Sequence, residues 1–86
     1  QYAKAIKTLK EGEKIDDSEL LIQMNLAHAY LLNNDFKSAK LIYKKYQSQN
    51  VTDSISWTQK VKSDFEIFQK AGLPSDNFKR VLKLLE

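Results

Sequence analysis

His28 is the only histidine in the 86-residue chain, and imidazole is the side chain best suited to acid–base work or metal ligation near neutral pH. Such chemistry needs convergent partners. The positions one helical turn away, 24, 25, 31 and 32, hold Met, Asn, Leu and Leu, so no carboxylate within helical reach could orient the ring. A structural or peptide-contacting role is expected for His28. No convergent catalytic set can be assembled, and neither an enzyme nor a cofactor is expected. Asp16, Asp17 and Glu19 could suggest a cation site, but they lack the alternating oxygens and the glycine of a calcium loop. Helix capping explains them better. Asn50-Val51-Thr52 has the form of a glycosylation acceptor, a tripeptide that often arises by chance. Trp57, Phe65 and Phe68 stand at helical spacing and are expected in the core rather than on a partner-binding stripe.

Composition narrows the class. Hydrophobic content of 42% and charged content of 29% are ordinary for a soluble globular domain. Two glycines and one proline favour helices with short connections. The absence of cysteine removes disulfides and thiolate metal sites; it suits a reducing cytosol and is compatible with a bacterial periplasm. No apolar run reaches the roughly 18 residues of a membrane span, so no membrane partner is expected. The net charge of +3 is dispersed. Lys4, Lys7 and Lys10 lie in the first segment and Lys37, Lys40, Lys44 and Lys45 in the third, with Glu11, Glu13, Asp16, Asp17 and Glu19 between them. Dispersal of this kind marks the solvated outer faces of helices more often than a nucleic-acid surface.

Five helices must position these residues. Residues 1–13 place Tyr2, Ala5, Ile6 and Leu9 on one face, and the helix is expected to end near Gly12. Asp16 with Glu19 forms a capping-box variant for the next. Residues 18–32 are apolar nearly all round, and Gln23, Asn25 and His28 gather into no single solvent stripe. That pattern predicts a central helix packed on more than one side. The turn Asn33-Asn34-Asp35 offers Asn34 or Asp35 as a cap for a helix over 35–48. Asp53 or Ser54 is expected to cap a helix over 54–71, which stops at Gly72-Leu73-Pro74. Ser75 or Asp76 opens the last helix, with Phe78, Val81, Leu82 and Leu85 on its apolar stripe.

Tyr2, Ala5 and Leu9 recur 34 residues later as Phe36, Ala39 and Tyr43, and a fixed period of that size marks stacked helical units. Gln23-x2-Leu26-Ala27-x2-Tyr30 and Ala39-x3-Tyr43 resemble the two halves of a tetratricopeptide repeat, with the family's first-helix tryptophan missing at Gln23. Trp57 stands 34 residues after Gln23, on that tryptophan site. Asp64-Phe65-Glu66-Ile67-Phe68 and Lys70-Ala71-Gly72-Leu73 are similar to C-terminal ends of bacterial members.

The resemblance implies an all-α fold of antiparallel helical hairpins stacked as a right-handed solenoid. Residues 1–19 would be the second helix of a preceding repeat plus linker, 20–53 one complete repeat, and 54–86 a degenerate repeat or capping hairpin. The chain, opening on Gln1 within helical sequence, is expected to be a piece of a longer protein. By the same resemblance Leu21, Met24, Asn25 and His28, with Ile55 and Gln59 from the next unit, would line a concave face that binds a peptide or protein segment. Asn25 falls where some members hold a peptide backbone, a task suited to an amide that donates and accepts at once. Ile55 and Gln59 replace the basic residues of a carboxylate clamp, which argues against a chaperone-tail ligand. The alternatives are a purely structural cap, self-association through the N-terminal helix and, last, nucleic acid at the third-segment lysines.

Overall fold

The computed structural model describes residues 2–15, 20–73 and 76–86. Among these are five helices and no strand: α1 Tyr2–Ile15, α2 Leu20–Leu32, α3 Phe36–Lys45, α4 Trp57–Lys70 and α5 Asp76–Leu84. The expected capping box at Asp16 and Glu19, and Pro74 and Ser75, lie outside the described residues. The chain divides into two units, Gln1–Lys45 and Tyr46–Glu86, and the repeat expected over 20–53 spans both.

In the first unit α2 packs against both α1 and α3, the central position that its all-round apolarity predicted. Met24, Leu26, Ala27, Ala29 and Leu31 are buried, and so are Gln23 and His28. α1 does not end near Gly12 but continues to Ile15; an isolated helical glycine costs only about 1 kcal/mol relative to alanine. The Lys10 ammonium lies 5.7 Å from the centre of the Tyr30 ring, bringing α1 and α2 together at that point.

One turn closes α2 and opens α3. Asn34 adopts a left-handed φ of 64°, which asparagine tolerates better than most residues. Its N–H donates to Leu31 O at 3.1 Å, and that of Asp35 donates to Tyr30 O at 2.8 Å, the paired bonds of a Schellman ending. Asp35 then caps α3. Its Oδ1 accepts the Ser38 N–H at 3.1 Å and its Oδ2 accepts the Ser38 hydroxyl at 2.8 Å.

These two bonds, hydroxyl first, hold the Asp35 carboxyl below its ordinary pKa of 3.8; Lys37 adds to the shift, and desolvation partly opposes it. A carboxylate whose folded pKa is depressed contributes stability that is complete above its unfolded pKa and lost as pH falls through the folded value. The protein is therefore expected to lose more Tm between pH 7 and pH 3 than an Asp35→Asn variant, which keeps a capping oxygen without the titration. Equal losses in paired melts would rule out this cap as a source of acid sensitivity.

In the second unit, residues 49–57 form a closed loop. Asn50 and Ser56 make an antiparallel bridge, Val51 N–H donates to Ile55 O at 2.8 Å, and Trp57 N–H donates to Gln49 O at 2.9 Å. Thr52 Oγ1 accepts from the Ser54 and Ile55 N–H groups at 3.3 and 3.1 Å. The helix consequently starts at Trp57 rather than 54, and its cap is Ser56 rather than Asp53 or Ser54. Ser56 Oγ accepts the Gln59 N–H at 3.1 Å and Gln59 Oε1 accepts the Ser56 N–H at 2.8 Å, a reciprocal capping box.

Trp57, Val61 and Phe65 form the buried stripe of α4, and Phe78, Val81 and Leu85 of the C-terminal segment are buried as well. The Phe65 and Phe78 rings stack at 4.6 Å and 19°. α4 ends as expected at Gly72, whose φ of 85° suits a residue without a Cβ. Its N–H donates to Gln69 O, and that of Leu73 donates to Phe68 O.

Candidate polypeptide-binding groove

The echo between α1 and α3 points to an open, mostly apolar groove in the first unit. In α3, Ala39 and Tyr43 are fully buried on a helix that packs against α2. Tyr43 OH and His28 Nδ1 of α2 share a hydrogen bond at 2.5 Å. In α1 the matching Ala5 is exposed and Leu9 only half-buried; none of residues 3–11 is buried. Ala5, Leu9, Lys4 and Thr8, with Asn25 from α2, line a groove of about 760 Å³ whose wall is mostly apolar. That size is within the range that holds ligands.

The chemistry on offer is recognition. Methyl and isobutyl groups supply apolar contact, and the Asn25 amide and Thr8 hydroxyl each donate and accept. The Thr8 hydroxyl already donates to Lys4 O at 3.1 Å within its own helix, and Lys4 adds a cation. A second hollow of about 560 Å³ is lined by Ala3, Ile6, Lys7, Lys10 and Glu11, all of α1. Among the described residues no three His, Cys, Asp or Glu side chains lie together in a way that could hold a metal ion, and no helix is long and apolar enough to cross a membrane.

The six residues expected on a concave face are distributed differently. Asn25 lines the groove, and Leu21, one turn earlier on the same helix, is 47% exposed. Met24 and His28 are interior, at 1% and 4% exposure, because α2 is covered by helices on two sides. Ile55 and Gln59 belong to the second unit. Ile55 is exposed in the loop before α4, and the Gln59 side chain is engaged in the α4 cap.

Lys4, Ala5, Thr8 and Leu9 were not among the expected site residues. The signal for them was in the chain: Ala5 and Leu9 repeat Ala39 and Tyr43, and only the second pair is fully covered by its neighbours. The sequon asparagine, Asn50, is exposed in the 49–57 loop. Compared with protein-family models, curated proteins and solved structures, the chain matches none.

Proposed function

We propose that the chain is a helical-repeat interaction module of tetratricopeptide-like plan, holding a polypeptide segment in the groove between α1 and α2. One observation carries the proposal: the α1 face that repeats the covered face of α3 is itself open. α3 seats its alanine and aromatic on another helix, so a chain segment with an apolar face suits the same pattern in α1. Asn25 at the edge provides both halves of a peptide-backbone hydrogen bond. Such a module works by presenting a formed surface rather than by reacting with what it holds.

Peptides selected against the protein from a random display library test this. Ala5→Trp fills the groove from an exposed position and is expected to abolish binding with the helical circular dichroism unchanged. Asn25→Ala removes one hydrogen-bonding group, worth about 1 kcal/mol or roughly a fivefold loss of affinity. Selected peptides that bind the Ala5→Trp variant at full strength would remove the groove from the proposal. The exposure of α1 also favours self-association through that helix as a second reading. Light scattering across a concentration series separates them, since self-association gives a dimer and the groove reading a monomer.

A further inference from the structure

We propose that the outer face of α3 is a second docking surface, separate from the groove, for an acidic amphipathic helix. Lys37, Lys40, Leu41 and Lys44 stand at offsets of 0, 3, 4 and 7, which places them on one side of a helix. All four are exposed. Leu41, at 69%, has the greatest exposure of the large apolar residues described. The opposite side of α3 is committed to the unit's interior through Ala39 and Tyr43. No carboxylate occurs in the helix, whose sequence is FKSAKLIYKK, so the stripe is a run of positive charge about 10 Å long with one apolar side chain at its centre.

That composition selects among anionic partners. Lysines are compact charges on flexible stems that accept varied anion geometry, so the choice among anions falls to Leu41. A nucleic-acid backbone would meet the lysines but leave Leu41 facing phosphates. A lipid surface would gain little from a single inserted side chain. A helix with an apolar residue flanked by Glu or Asp three and four positions to either side answers both features, because residues at that spacing share one helix face and the flanking carboxylates then stand about 10 Å apart along it. Charge would steer the encounter, and the Leu41 contact would fix the register.

The test is fluorescence anisotropy with a labelled 14-residue helical peptide carrying leucine flanked by glutamates, and with its leucine-to-serine counterpart. Duplex DNA and phosphatidylserine vesicles serve as rival anions. The expected result is binding to the leucine peptide at about 50 mM salt that weakens at least tenfold at about 500 mM. Leu41→Ser should weaken it at least fivefold, the pair Lys40→Glu and Lys44→Glu should abolish it, and Ala5→Trp should leave it unchanged. These positions are exposed, so each variant is expected to keep the native circular dichroism, which is recorded alongside. No binding at low salt would overturn the proposal, as would equal affinity for the serine peptide, the DNA or the vesicles. Loss of binding in Ala5→Trp would overturn the separateness of the two surfaces.

Discussion

Trp57→Ala is expected to lower the free energy of unfolding by about 3–5 kcal/mol, the usual cost of deleting a fully buried large aromatic. Trp57 is the first residue of α4 and completely buried. The Tyr46 ring lies 5.3 Å away, and the Trp57 N–H closes the preceding loop on Gln49 O. Removing the indole opens a cavity where the loop, the helix start and the apolar stripe meet. Part of the indole's contribution is already offset, because its Nε1 is buried with no hydrogen-bond partner among the described residues. Burying such a donor carries a desolvation cost. Trp57→Phe keeps an aromatic ring and removes that donor, so its cost is expected below about 2 kcal/mol. Urea unfolding followed by circular dichroism measures both. A loss under about 1 kcal/mol for Trp57→Ala would contradict this packing.

Tyr43→Ala is expected to cost a similar amount, about 3–5 kcal/mol. Tyr43 is fully buried in α3, with its ring 5.6 Å from that of His28 and its hydroxyl bonded to His28 Nδ1. Tyr43→Phe isolates the bond, since the ring remains, and should cost about 1 kcal/mol. His28→Leu in the Tyr43→Phe background should then cost less than in the native chain, because the partner is already gone. Additive losses in this double-mutant cycle would show that the two groups are not coupled.

The elements legible in the sequence were those written in local chemistry. The apolarity of 18–32 made the second helix central, Asn33-Asn34-Asp35 marked a turn with a cap for the next helix, and Gly72 supplied the left-handed ending of α4. The start of α4 was not legible in that way. Asp53 and Ser54 are good capping residues, yet the Asn50–Ser56 bridge and the Thr52 hydroxyl hold the backbone up to Ser56 in a closed loop. A pairing across six residues thus overrode local preference and drew Gln59 into the cap.

The candidate site was half legible for a related reason. A stripe of residues records which side of a helix is apolar, not what covers it. The resemblance placed Met24 and His28 on the concave face, but both are buried in a helix that packs against α1 and α3. Leu21 and Asn25 remain outside. Ala5 and Leu9 carry the pattern of a covered face and are left open.

Amide chemical-shift mapping of the 86-residue protein, titrated with a peptide selected against it, tests the α1/α2 groove most directly. Perturbations are expected to cluster on Lys4 to Leu9 and around Asn25, to vanish in the Ala5→Trp variant, and to spare Lys37, Lys40 and Lys44. Shifts confined to the second unit, or persisting unchanged when Trp fills position 5, would contradict the assignment of that groove as the binding surface.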